Sequence, residues 1–138
     1  MNRLRVSILQ TDIAWENKQD NLRRLREQLE TLRGATEIVV LPETFSTGFS
    51  MNTDRLAEPV TDKTIATLRQ WAAECQIALA GSYISCDEIP VASEDNELSY
   101  KHPAYYNRAF FLTPEGEYYF YDKRHLFRMG REAEHFSA

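Results

Sequence analysis

The 138-residue sequence has only two cysteines, Cys75 and Cys86, and neither stands in a CxxC or Cys/His ligand spacing. A disulfide framework and a zinc site are therefore not expected, and no other metal site is indicated. A basic excess is also missing: 16 Lys and Arg against 21 Asp and Glu leave a net charge of -5. Nucleic acid and anionic membranes both select basic surfaces, so neither is an expected partner. The one basic cluster is Arg3, Arg5, Arg23, Arg24 and Arg26. Three of these share a predicted helix with Glu27 and Glu30, which reads as a solvated face. No apolar run approaches the length of a membrane span. Arg3 and Arg5 interrupt any secretory apolar core at the N-terminus, and residues 10–16 are polar. There are no repeats, low-complexity tracts or linkers. The expectation is a soluble cytoplasmic protein, one domain by length or part of a larger one. Its hydrophobic fraction of 43% is sufficient for a core.

Leu4, Val6 and Ile8 alternate with Arg5, Ser7 and Leu9 as an opening strand. From Asn21 the period changes: Leu22, Leu25, Leu29 and Leu32 recur at helical spacing, and Gly34 is a plausible stop. Ile38 to Leu41 is too short for a helix and reads as a buried strand ending at Pro42. Residues 46–58 are polar, contain Gly48, and read as a loop. A second helix is capped by Thr61 or Asp62 and turns Ile65, Leu68, Ala72 and Cys75 inward. Ile77 to Ile84 returns as a strand, and residues 87–101 look like an acidic, irregular surface excursion. Tyr105 to Leu112 and Glu117 to Tyr121 form a hairpin over Thr113-Pro114-Glu115-Gly116, which suits a type I turn. Strands separated by helices imply parallel pairing, and the hairpin adds antiparallel strands. The fold class is α/β with a mixed sheet.

Two ionisable residues stand just past strand-like runs, where such sheets present chemistry. Glu43 follows Val39-Val40-Leu41-Pro42 and precedes Thr44-Phe45. Among Leu41, Pro42 and Phe45 it would be partly desolvated, which raises a carboxyl pKa towards a general base's range. Alternatively it caps a loop or meets an arginine. Lys123 lies in Tyr121-Asp122-Lys123-Arg124-His125-Leu126-Phe127. Beside a carboxylate its ammonium can face a developing oxyanion; otherwise it is a solvated strand-end lysine. Phe45, Phe49, Tyr106 and Tyr121 are candidates to line a substrate pocket, with core packing as the alternative for each.

The Leu-Pro-Glu run, the series Asn107-Arg108-Ala109-Phe110-Phe111-Leu112 and Pro114-Glu115-Gly116, and the lysine motif occur in one order along nearly the whole chain. Together they resemble the nitrilase superfamily of carbon–nitrogen hydrolases, most closely its omega-amidase branch. The resemblance implies a four-layer α-β-β-α sandwich, of which residues 1–138 would be the N-terminal, incomplete part. It implies a homodimer, no cofactor, and a Glu-Lys-Cys mechanism on a small-molecule amide. Glu43 would be the base and Lys123 the oxyanion stabiliser. Glu132, with Glu134 as runner-up, would be a second glutamate, and Phe49 and Tyr106 would contact substrate. The loop Phe45 to Met51 resembles that of omega-amidases and favours an acidic ω-amide such as 2-oxoglutaramate.

In that family the nucleophilic cysteine follows the second glutamate, so the sequence is expected to stop short of it. Cys75 falls on an apolar helix face and reads as core. Cys86 closes a strand beside Asp87 and Glu88, whose charges disfavour a thiolate. His125 resembles a position that supports the lysine loop, whereas His102 and His135 read as surface or loop residues. A second expectation is a non-catalytic remnant, or a subunit that needs a complementing chain. A third, an independent α/β binding module, requires the motifs to be coincidental.

Overall fold

Short aliphatic runs form the parallel half of the sheet in the computed structural model, which describes residues 3–92 and 98–138. β1 (Val6–Ile8), β2 (Ile38–Val40) and the start of β3 (Ala78–Ala92) lie parallel, with Ile8, Val40 and Ala80 in register. Parallel neighbours need crossovers, which α1 (Lys18–Leu32) and α3 (Lys63–Cys75) supply. β4 (Leu98–Leu112) and β5 (Tyr118–Asp122) continue the sheet antiparallel, in the order β1-β2-β3-β4-β5. The α/β class and mixed sheet are as the sequence indicates. No helix among the described residues is long and apolar enough to cross a membrane.

Helix α1 begins before the leucine pattern does. The Asn17 side chain caps it by accepting the Asp20 N–H at 3.1 Å. Asn21 is buried because its amide is fully engaged: it accepts from the Ala14 N–H and donates to the Ala14 and Ser46 carbonyls, each at 2.8 Å. Leu25 and Leu29 pack against Ile65, Leu68 and Ala72 of α3 and against Val39, Leu79 and Phe110 of the sheet. Arg23 and Arg24 pair with Asp20 and Glu27 on the solvated side. Of the two possible caps for α3, Asp62 is the one used, accepting the Lys63 N–H at 2.7 Å.

Two segments differ from the sequence expectation. Residues 46–58 are largely buried and carry a short helix, α2 (Thr53–Leu56). The buried carboxylate in this stretch is compensated: Glu58 accepts from the Thr64 hydroxyl at 2.8 Å and from Lys18 Nζ at 2.9 Å. Residues 87–92 and 98–101 are not irregular, since the β3–β4 ladder continues to the Ala92/Leu98 pair with one register shift between Asp87 and Ile89. Residues 93–97 of that expected excursion lie outside the described residues. Cys86 therefore lies within β3 and does not close it. In the hairpin, the Gly116 N–H reaches the Thr113 carbonyl at 3.1 Å, as a four-residue turn requires. Gly116 then takes φ +95°, and Thr113 pairs back to Glu117, the bulge that such turns favour.

Helices α1 and α3 cover one sheet face only. Ile8, Val40, Ala80, Phe111 and Tyr119 form one in-register row across the other face. On it Ile8 is 78% exposed, Val6 50%, Tyr119 59% and Tyr121 56%. A contiguous apolar face of this kind drives association. The 138-residue chain is expected to self-associate in light scattering, and Ile8→Lys with Tyr121→Lys to suppress this without lowering its urea midpoint. On the covered face, a Cβ on Gly81 would sit 2.9 Å from the Phe110 ring and 3.0 Å from Leu41 Cβ. Gly81→Ala should cost about 1–3 kcal/mol by overpacking, seen as a lower urea midpoint with an unchanged slope.

Candidate active site

Beyond β2, Leu41 still bonds Ala80, and Pro42 then ends the run. Thr44 has φ +46°, a left-handed conformation that a β-branched residue adopts only when its surroundings impose it. Those surroundings are on β3: Ser82 Oγ accepts the Thr44 N–H at 2.8 Å, and the Ser82 carbonyl accepts the Phe45 N–H at 3.2 Å. Between Pro42 and this clamped elbow, the Glu43 side chain emerges beside Asn107 of β4.

Lys123 directly follows β5 and donates its backbone N–H to the Asn107 carbonyl at 2.9 Å. Its ammonium lies 2.8 Å from Glu43 Oε1 and 3.1 Å from Glu132 Oε2. Glu132 opens α4 (Glu132–His135) and is completely buried. The Phe127 N–H donates to its Oε2. Asn107 Nδ2 lies 2.6 Å from Glu43 Oε1 and 3.3 Å from Glu132 Oε1, so one amide touches both carboxylates. Burial alone would lower the Lys123 pKa, but its hydrogen bonds to Glu43 and Glu132 overcome this and raise it. The group is a firmly held ammonium.

The structure thus brings together Glu43, Lys123 and Glu132. Of the two downstream glutamates, Glu132 joins this cluster, whereas Glu134 lies at the surface, 2.7 Å from Arg131. The Glu43 side chain is 49% exposed and is held by polar partners, Asn107 and Lys123. Phe49 is at the site, its ring centre 5.4 Å from Lys123 Nζ. The Phe49 and Phe127 rings approach Gly130, where a Cβ would lie 3.5 and 2.6 Å from them. Tyr106 is not brought in: neighbours on a strand point to opposite faces, and its ring centre lies 5.4 Å from Arg108. Arg108 in turn bridges Asp87 and Asp122 at 3.0 and 2.7 Å. His125 is exposed and makes no hydrogen bond among the described residues.

Neither cysteine joins the cluster. Cys75 is in the helix-side core, and burial pushes its thiol pKa up. Cys86 pairs in register with Tyr105, two residues along β3 from the partner of Asn107. Among the described residues no three His, Cys, Asp or Glu side chains converge as metal ligands. Sequence reasoning missed Asn107 and the Thr44–Ser82 elbow. Asn107 did leave a signal, as an amide alternating with Ala109 and Phe111 on the strand face that leads to Lys123. Chemically, the cluster offers a carboxylate with one oxygen free among the described residues, Glu43 Oε2, next to a fixed cationic donor.

The carbon–nitrogen hydrolase family model matches residues 5–138. The chain is 34% identical over 138 residues to the omega-amidase YafV of Yersinia enterocolitica, covering 100% of this chain and 48% of that protein. It is 33% identical over 137 residues to the omega-amidase YafV of Escherichia coli strain K12, covering 98% and 46%. Among solved structures it is similar to XC1258 from Xanthomonas campestris, a CN-hydrolase superfamily protein, with a TM-score of 0.81 and 34% identity. That match covers 100% of this chain and 47% of XC1258. An amidase from Nesterenkonia sp. AN1 shares the fold at a TM-score of 0.75 and 18% identity, covering 98% and 49%. The chain spans about half the length of the curated relatives that it matches. With residues 5–138 matched and relatives of that identity aligned along its length, the chain belongs to the carbon–nitrogen hydrolase family.

Proposed function

We propose that residues 1–138 are the base-and-lysine part of a cytoplasmic omega-amidase-like hydrolase, homodimeric when complete. It would release ammonia from acidic ω-amides such as 2-oxoglutaramate. The observation that carries this reading is the convergence of Glu43, Lys123 and Glu132 at the end of the uncovered sheet face. The nucleophilic cysteine comes from outside these residues, on the layer that covers that face and completes an α-β-β-α sandwich. The omega-amidase names of the relatives support the substrate class.

In the reaction, Glu43 accepts the thiol proton as the thiolate attacks the amide carbon. The Lys123 ammonium faces the oxygen that becomes anionic. As the carbon–nitrogen bond breaks, Glu43 returns the proton to the departing nitrogen, and ammonia leaves a thioester. Water then attacks the thioester, Glu43 takes its proton and passes it to the departing sulfur, and the acid leaves with thiol and base restored. Glu132 is occupied by Lys123, Asn107 and Phe127, so it holds the lysine and does not exchange protons with substrate.

A second reading, a subunit completed by another chain, is favoured by the exposed row of Ile8 and Tyr119. Intact mass of the protein from its native source separates the two. A mass well above 16.1 kDa, with ammonia release from 2-oxoglutaramate, supports the one-chain enzyme. A mass of 16.1 kDa with activity only after co-expression with a cysteine-bearing partner supports the subunit. No ammonia release in either format would overturn both.

In the active assembly, Glu43→Gln and Lys123→Met should each lower kcat by about 10²-fold or more, measured as ammonia release. The raised Lys123 pKa fixes a pH dependence of stability. Its contribution is complete below the ordinary lysine value of 10.5 and is lost as pH rises through the higher folded value. The stability gap between wild type and Lys123→Met should therefore stay constant up to about pH 10 and close above 10.5, as urea midpoints would show.

A further inference from the structure

We infer that Asn107 is a positioning residue that holds both carboxylates of the site on one neutral amide, fixing Glu43 against Lys123. The inference rests on the reading of Glu43 and Lys123 as reacting groups and adds a residue to it. Asn107 is almost fully buried on β4, opposite Ile84 in the ladder. Its Nδ2 carries two protons and has two acceptors, Glu43 Oε1 at 2.6 Å and Glu132 Oε1 at 3.3 Å. Its carbonyl holds the Lys123 backbone N–H at 2.9 Å, so all three charged residues are tied to this one position.

The chemistry explains why an amide suits the place. Glu43 and Glu132 share a single ammonium, which leaves one negative charge over. A further cation would compete with Lys123 for the same oxygens. An aspartate would add a third carboxylate to the cluster. A neutral double donor satisfies one oxygen of each carboxylate and adds no charge. Glu132 is anchored independently by the Phe127 N–H and by burial. Glu43 is not: it is half-exposed, and its only side-chain partners among the described residues are Asn107 and Lys123. Without Asn107 its carboxylate is free to swing into solvent, and Lys123 keeps one acceptor instead of two.

Two NMR measurements on the 138-residue chain test this without turnover. The charged groups facing Lys123 are Glu43 and Glu132, so its ¹³Cε titration reports on both. In Asn107→Ala the midpoint should fall towards 10.5, while the core variant Leu29→Val leaves it in place. An unmoved midpoint in a folded Asn107→Ala chain overturns the inference. If that variant does not fold, the half-exposed substitution Glu43→Gln keeps the test open. It should shift one of the two Asn107 side-chain amide protons and leave the other. Equal shifts in both, or in neither, overturn the bridge. Absence of amidase activity would sink the reaction and leave these results standing; an unmoved Lys123 would do the reverse.

Discussion

One ammonium shared by two carboxylates is the interaction on which the rest of the site depends. Glu132 is wholly buried, and a buried carboxylate is tolerable only when charge and hydrogen bonds compensate it. Lys123, Asn107 and the Phe127 amide supply that compensation. The partners come from distant parts of the chain: Glu43 and Lys123 are 80 residues apart. They meet only after β2, β3 and β4 have paired in register. A slip of one residue in β4 would turn Asn107 to the helix side and bring Arg108 or Tyr106 to the carboxylates. The apolar alternation of the strands therefore sets the chemistry, because the core residues Phe110 and Leu112 fix which face Asn107 takes.

Much of this was legible in the sequence because it is periodic or local. The leucine spacing of α1, the aliphatic run of β2 and the Thr113–Gly116 turn each identify an element from adjacent residues. Glu43, Lys123 and Glu132 were legible through their motifs. What was not legible is satisfaction at a distance. Residues 46–58 look like an exposed loop because they are polar. They are buried with bonds from Asn21 and Lys18, both remote in sequence, and from Thr64 of the following helix. Tyr106 and Asn107 are adjacent, and only strand parity tells which of them reaches the site. The left-handed Thr44 was equally hidden, since nothing in its own side chain favours that conformation.

The two sheet faces differ in a way that bears on the site's position. The helix-covered face holds Leu29, Leu68, Leu79 and Phe110, packed without access to solvent. The other ends in Asn107 and Lys123 and leaves Ile8 and Tyr119 uncovered. A reaction that forms an oxyanion gains from low dielectric. The uncovered face provides that only once another layer lies on it. The same burial that would cover Ile8 and Tyr121 would also exclude water from around Lys123. Under the proposed reaction, covering of that face and activation of the site would be one event.

The two glutamates show how environment divides labour between identical side chains. Glu132 has Oε2 filled by Lys123 and the Phe127 amide and Oε1 by Asn107. Its side chain is wholly buried, with both oxygens engaged. Glu43 meets the same lysine and the same amide, but through Oε1 alone. Its Oε2 is free among the described residues, on a side chain that is 49% exposed. Proton transfer requires that free oxygen and a mobile partner, whereas orientation of an ammonium requires neither. The backbone reinforces the division. Glu132 sits in the first turn of a helix whose following residues pack down through Phe136. Glu43 sits beside a strained elbow that fixes its Cα while leaving its outer oxygen exposed. Under the proposed reaction, the base is the carboxylate that is held at one oxygen and open at the other.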